Sequence, residues 1–147
     1  PIEDIVPGDF VLTRGGYKPV LKSGMTIKDA QVYEVSFSNG SKIIATANHP
    51  VFVPGKGFVR VDALNKNDNI MTFTEYKVHV IDVVQLEERH PVYNLHVADC
   101  NEFCANGILV HNSYDAARYA MSNINTGSYV KPGGEKKRHP ALDVRLF

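Results

Sequence analysis

Cysteine is nearly missing from this chain: among 147 residues only Cys100 and Cys104 occur. Disulfides therefore cannot be the main support of a core this size, and a reducing compartment is the expected setting. Long apolar runs are missing too. The longest cover a few residues, far short of the roughly 20 that cross a bilayer, and no basic-then-apolar leader pattern opens the sequence. The expectation is a protein neither inserted in a membrane nor exported. Net charge is absent as well, with Lys plus Arg at 16 and Asp plus Glu at 16. No whole-chain field argues for nucleic acid or an anionic surface. Leucine is sparse, 8 residues against 27 Val plus Ile. Because β-branched side chains fit a pleated surface and lose rotamer freedom in a helix, that ratio predicts a sheet protein for most of the chain. The remaining composition, 44% hydrophobic and 22% charged, is ordinary for a globular domain. The first residue is Pro1, which does not initiate translation, so the expectation is a trimmed Met or a piece of something longer.

The clearest local structure is Val32 to Ser38, then Asn39-Gly40, then Ser41 to Thr46. Apolar alternation interrupted by Asn-Gly predicts a β-hairpin with a two-residue turn. Asn39-Gly40-Ser41 also matches a glycosylation acceptor, but the turn reading is preferred where no secretion signal is seen. Further strand-like runs are Lys77 to Leu86, Val92 to Val97 and Gly107 to Val110, the last after a second Asn-Gly turn at Asn106-Gly107. Nothing before residue 112 has a long helical period.

The chain also repeats itself. Ile2-Glu-Asp-Ile5-Val-Pro-Gly8-Asp9-Phe-Val11-Leu-Thr13 is echoed by Val61-Asp-Ala-Leu64-Asn-Lys-Asn67-Asp68-Asn-Ile70-Met-Thr72. Gly8 and Asn67 are the two residue types that most readily take a left-handed backbone, so one shared turn fits both copies. A duplicated β subdomain with pseudo-two-fold symmetry is expected.

After Val110 the character changes. Ser113 to Met121 is rich in helix formers, with Ser113 as a possible N-cap and Asp115 in the first turn. Asn123 to Phe147, with Gly127, Pro132, Gly133, Gly134 and Lys136-Lys137-Arg138, reads as a solvated tail. Residues 1–112 hold 10 basic and 13 acidic side chains, a balance of −3; residues 113–147 hold 6 and 3, a balance of +3. Two differently composed pieces meet near residue 112.

Three stretches carry chemistry: Thr46-Ala-Asn-His49-Pro-Val after the hairpin, Val92-Tyr-Asn94-Leu-His-Val97, and Phe103-Cys-Ala-Asn-Gly-Ile-Leu-Val-His111-Asn112-Ser113 at the compositional boundary. Together they resemble an intein, the Hint fold shared by inteins and Hedgehog-type processing domains, over residues 1–112. The resemblance implies an all-β horseshoe fold with pseudo-two-fold β subdomains, a splicing domain over 1–112, and a C-terminal extein over 113–147 formed of a short helix and tail. It implies autocatalytic protein splicing: acyl transfer to Ser113, Asn112 cyclisation assisted by His111, and activation of the upstream junction by Thr46 and His49. Asn94 sits where many relatives carry an Asp after Val-Tyr, and Asn101 where many carry a His before the Phe.

The residues can supply those parts. A planar amide has a rotation barrier of roughly 18–20 kcal/mol, so breaking it without a protease needs a distorted bond and a positioned nucleophile. The Asn112 side-chain amide can attack its own backbone carbonyl, an intramolecular step in which positioning replaces concentration. His111 titrates near neutrality and can protonate the departing nitrogen. The Ser113 hydroxyl can accept an acyl group. Taken singly, His49 or His111 reads as a structural histidine and Thr46 as a strand residue.

The nucleophilic Cys or Ser that opens an intein, and its short strand, are absent before Pro1. The chain is therefore expected to resemble the larger C-terminal piece of a split or truncated mini-intein, partnered by a short N-terminal intein fragment with its N-extein, and without a homing endonuclease domain. No cofactor is expected. Cys100, Cys104, His96 and His111 form a weaker zinc alternative. Tyr114-Asp115-Ala-Ala-Arg-Tyr-Ala120 resembles the last nuclease motif of phage terminase large subunits, which implies Asp115 as a metal ligand in the spliced host, DNA as a partner only through that host, and the cytoplasm of a phage-infected bacterium as the location. The rivals are a packaging-nuclease fragment with a structural β module and an inactive Hint domain serving as an interaction surface.

Overall fold

Short runs in which buried and exposed side chains alternate, punctuated by left-handed turn residues, build this molecule strand by strand. The computed structural model describes residues 1–73 and 77–112, together with the backbone of Tyr129–Val130, Lys136–Lys137 and Arg145–Leu146. The strands are β1 (Phe10–Thr13), β2 (Gly16–Ala30), β3 (Tyr33–Phe37), β4 (Lys42–Ala45), β5 (Pro50–Val53), β6 (Gly57–Arg60), β7 (Asn69–Ile70), β8 (Val78–Gln85), β9 (His90–Val97), β10 (Glu102–Ala105) and β11 (Ile108–His111), followed by β12 (Tyr129–Val130), β13 (Lys136–Lys137) and β14 (Arg145–Leu146). Helical structure among the described residues is confined to two 3-10 turns, Ile2–Asp4 and Val61–Ala63. The all-β expectation holds.

Three sheets result, ordered β13-β12-β1-β2-β9, β10-β11-β5-β6 and β14-β4-β3-β8-β7. Their inner faces share one core that includes Ile2, Val11, Val35, Ile43, Val51, Phe103, Ile108 and Val110, with a small satellite of Ala30, Val32, Ile44 and Val92.

The internal echo is a structural duplication down to its hydrogen bonds. Each copy enters through a 3-10 turn, Ile2–Asp4 in one and Val61–Ala63 in the other. Each then reverses at a left-handed residue, Gly8 (φ 96°) or Asn67 (φ 71°). In the first copy the Gly8 and Val20 N–H groups donate to Val20 and Asp9 carbonyls at 2.8 and 2.7 Å; in the second the Asn67 and Val80 N–H groups donate to Val80 and Asp68 at 2.9 and 2.9 Å. The carboxylates brace the same turn, Asp9 accepting from the Val6 N–H at 3.1 Å and Asp68 from the Asn65 N–H at 2.8 Å.

The two Asn-Gly turns differ. At Asn106-Gly107 both residues are left-handed, φ 48° and 82°, which is the expected two-residue turn. At Asn39-Gly40 only Gly40 is left-handed (φ 82°), the Gly40 N–H donates to the Phe37 carbonyl at 2.9 Å, and the Phe37 N–H to Ser41 at 3.0 Å. That loop is three residues long, with Gly40 in the left-handed position. The Asn39 side chain, instead of tolerating a positive φ, accepts from the Ser41 N–H at 3.0 Å and hydroxyl at 2.6 Å.

The 15-residue β2 has no counterpart in the sequence reading. It pairs with β1 from Gly16 to Pro19 and then with β9 from Val20 to Ala30, with register shifts between Val20 and Lys22, Met25 and Ile27, and Ile27 and Ala30. Seven of its 15 residues are exposed, Leu21 and Met25 among them, so no apolar alternation marks it.

Residues 113–121, expected as a helix, lie outside the described residues, as do Ser113 and Asp115. Within the expected solvated tail, Tyr129–Val130 pairs with Val11 and Phe10 in β1, and Arg145–Leu146 pairs in parallel with Ile44 and Ala45 in β4. Both pairings lie on sheet edges with backbone groups to satisfy.

Candidate active site

The left-handed pair at Asn106-Gly107 fixes the β10–β11 register, so that Glu102 faces His111 and Phe103 faces Val110. One step further along the same ladder, the Asn112 N–H donates to the Asn101 carbonyl at 2.7 Å. The ladder therefore delivers Asn112 to a wholly enclosed position, 0% exposed. Its side-chain amide Nδ2 points to the Cys100 carbonyl at 3.5 Å, and Oδ1 is buried with no hydrogen-bond partner. The side-chain amide and the main-chain carbonyl of Asn112 thus belong to a residue whose backbone is pinned.

His111 is half-buried and packs edge-on against the Phe58 ring at 4.9 Å between centroids; Phe58 in turn meets Phe52 edge-on at 5.2 Å. Its Nδ1 is buried without a partner. Burial holds the imidazole below its ordinary pKa, and the Glu102 carboxylate opposes that shift.

The second histidine comes from the turn between β4 and β5. The His49 N–H closes the turn on the Thr46 carbonyl at 3.1 Å, while the Val61 and Asp62 N–H groups donate to the His49 and Ala47 carbonyls at 2.9 and 3.0 Å. The second 3-10 turn thereby clamps this loop, and pairing of Val51 with Val110 lays β5 against β11. His49 is 2% exposed and neither ring nitrogen has a hydrogen-bond partner. Burial first, and the neighbouring His111 second, lower its pKa to about 3. Its imidazole is neutral at physiological pH. The buried Thr46 hydroxyl donates to Asn48 Oδ1 at 2.9 Å, a partner the sequence reading did not single out.

The fold thus gathers Thr46 and His49 in one turn, and brings His49 near enough to His111 for the two imidazoles to interact electrostatically. Asn94 is on β9 opposite Gly24, in the half-buried middle of the strand. Ser113 and Asp115 are outside the described residues.

The zinc alternative finds no converging set, since no group of three or more His, Cys, Asp and Glu placed to hold a metal ion occurs among the described residues. Cys104 is buried, and burial pushes its thiol up to about 12, against the smaller effect of a backbone hydrogen bond from Gly107. It is an inert neutral thiol. The half-buried Cys100 contributes its carbonyl to Asn112 and a weak Sγ contact of 3.4 Å to the Glu102 carbonyl.

One group was missed in the sequence. Arg14, at the β1–β2 turn, donates from Nε and Nη2 to the two Glu102 carboxylate oxygens at 2.6 and 2.5 Å. Its guanidinium lies 4.7 Å over the Phe52 ring. The signal for Glu102 was in the sequence: a two-residue turn at 106–107 makes paired positions sum to 213, which sets Glu102 opposite His111 and Asn101 opposite Asn112. Nothing local in the sequence connects Arg14, 88 residues from Glu102, to them.

No curated protein sequence matches the chain. Solved structures do. The gp41-1 intein superposes with a TM-score of 0.67 at 23% identity, covering 76% of this chain and 85% of that one. The Ssp DnaB mini-intein variant M86 gives 0.68 at 21%, covering 80% and 86%. A DnaB intein from Synechocystis sp. PCC 6803 gives 0.66 at 23%, covering 76% and 83%. These likenesses establish the Hint/intein fold. Residues 2–113 match the family model of the pretoxin HINT domain, a span that ends one residue beyond Asn112, and the chain belongs to that family.

Proposed function

We propose that this domain is a self-processing module that breaks the peptide bond between Asn112 and Ser113. The observation that carries the reading is the seating of Asn112: no exposure, a backbone N–H held at 2.7 Å by Asn101, and a buried, partnerless Oδ1. In the reaction Asn112 Nδ2 bonds to the Asn112 carbonyl carbon, closing a five-membered ring. The bond from that carbon to the Ser113 nitrogen breaks. The leaving nitrogen takes its proton from the His111 imidazolium, and His111 regains one from the Nδ2 of the adduct, so its protonation is unchanged over the cycle. Enclosure of the ring-closing groups supplies the effective concentration. Products are a chain ending in a C-terminal succinimide and a chain beginning at Ser113.

The word pretoxin in the family description suits this outcome, in which a downstream segment is released from a precursor. A second reading, splicing in trans, draws on His49. Its buried imidazole, with both nitrogens unpartnered, suits an amide donated by an upstream junction on a separate N-terminal fragment, whose acyl group would pass to Ser113. The terminase host rests on the Tyr114 to Ala120 pattern alone, with Asp115 as its metal ligand.

The test is mass spectrometry of the intact chain incubated at pH 6 to 8. Appearance of a 1–112 fragment lighter than its free acid by one water, and its loss in Asn112→Ala, is the expected result. Because the His111 imidazolium is the acid, release is expected to accelerate as the pH falls from 8 towards its lowered pKa. A chain that stays whole across that range sinks the cleavage reading. Ligation to an added peptide carrying an N-terminal Cys strand would favour trans-splicing.

A further inference from the structure

Resting on that cleavage reading, we propose that Glu102 is a positioning residue for His111 and that Arg14 restrains it, the ion pair setting how readily His111 takes up the proton it delivers to the leaving nitrogen. Four observations outside the Asn112 site itself converge on this. Glu102 and His111 are directly opposed in the antiparallel ladder, where facing side chains lie roughly 4.5–5.5 Å apart at Cβ and share one side of the sheet. The Glu102 side chain is only 14% exposed, so its charge is poorly screened. Arg14 grips both of its oxygens in a fork, a geometry that Lys could not reproduce. Finally, Arg14 lies over Phe52, which packs on Phe58, which packs on His111, closing a ring of contacts around the imidazole.

The charged and titratable groups facing His111 are few. Glu102 faces it from β10, Arg14 acts through Glu102 from the β1–β2 turn, and His49 approaches from the β4–β5 turn but is neutral. Phe58 of β6 contributes an uncharged ring. Burial of His111 disfavours the imidazolium that must donate, and the Glu102 carboxylate favours it. With Arg14 in place, part of that charge is answered by the guanidinium. The Thr13 hydroxyl holds the arginine's turn, donating to the Gly16 carbonyl at 2.8 Å and accepting from the Gly15 N–H at 3.1 Å. Arg14 therefore acts as a built-in brake on the help that Glu102 gives to His111.

The experiment has two arms on the full-length chain, with Arg14→Gln, Glu102→Gln and the double variant. In an Asn112→Ala background, where no cleavage can occur, the His111 imidazole is titrated by NMR. Arg14→Gln is expected to raise its midpoint by about 0.5 to 1 pH unit and Glu102→Gln to lower it similarly, while the double variant matches Glu102→Gln, because Arg14 acts only through the carboxylate. With Asn112 intact, the release rate at pH 7.5 is expected to rise about three- to tenfold in Arg14→Gln and to fall by a like factor in Glu102→Gln, the whole pH profile moving with the midpoint. Unmoved midpoints in both single variants overturn the inference, as does an Arg14→Gln shift that persists without Glu102. Moved midpoints in a chain that never cleaves would uphold the pair's hold on His111 and defeat the cleavage reading instead, so the two failures are distinct.

Discussion

His49 shows what a single residue does in this site and what it asks of the fold. Its ring is enclosed, its nitrogens are unpartnered, and its folded pKa of about 3 lies below the ordinary value of 6.5. Between those values the unfolded chain binds a proton that the folded chain refuses, so stability is complete above pH 6.5 and declines as the pH falls. In the Asn112→Ala background, moving from pH 7.5 to 5.0 is expected to remove about 2 kcal/mol through this residue alone. His49→Leu, which leaves no orphaned polar atom, should retain its stability at pH 7.5 and lose that part of the slope. Urea unfolding followed by circular dichroism at the two pH values reads it; equal slopes in the two proteins would show that His49 is not the titrating group. At this scale the sequence was most informative where motif and geometry coincide, as for His49, His111 and Asn112. It was silent on Arg14 and Asn48, whose roles depend on three-dimensional proximity or on a side-chain turn that no spacing encodes.

Among the elements, the repeated entry turn is the best test of how sequence becomes structure. Gly8 and Asn67 occupy the same left-handed position in the two copies, and only the second carries a Cβ there. Replacing Asn67 by Gly is expected to be nearly neutral, whereas Asn67→Ala and Gly8→Ala should each cost about 1 kcal/mol, the penalty of a left-handed backbone for an ordinary side chain. Equilibrium denaturation measures both, and an Asn67→Ala protein as stable as the parent would refute the shared-turn account. The second copy has an added support: Lys56 pairs with Asp68 at 2.6 Å, and the hydrogen bond from Lys56 is the main cause holding that carboxyl below its usual range. Such duplication was legible because turn chemistry leaves a strong local mark. The β2–β9 ribbon was not, since a strand with only two buried residues in 15 and broken by bulges follows no period of two. The Asn39-Gly40 loop was recognised as a turn but misjudged in length, because the same dipeptide serves a two-residue turn or the end of a three-residue one, and the flanking register decides between them.

For the whole molecule, the zero net charge conceals a division at residue 112. The −3 and +3 portions meet there, and the −3 portion holds a core that runs from Ile2 to Val110. Among the described residues beyond the proposed cleavage point, Tyr129–Val130 pairs along β1, Lys136–Lys137 along Tyr129–Val130, and Arg145–Leu146 along β4. Each backbone hydrogen bond gained there is worth about 1 kcal/mol net, and ordering the paired segments opposes it with a similar entropy per residue. These edge pairings should therefore contribute little to the stability of the domain. A chain ending at Asn112 is expected to keep its cooperative transition, with unfolding free energy within about 2 kcal/mol of the Asn112→Ala full-length protein. Loss of cooperativity, or a larger drop, would mean that the segment after residue 112 is part of the fold, and self-cleavage would then destroy the domain that performs it. Retained stability would leave two exposed strand edges, at Phe10–Val11 and Ile44–Ala45, where the flank's backbone had paired. Those edges would be the physical mark of the processed state, visible as faster amide exchange in β1 and β4 once residues 113–147 are gone.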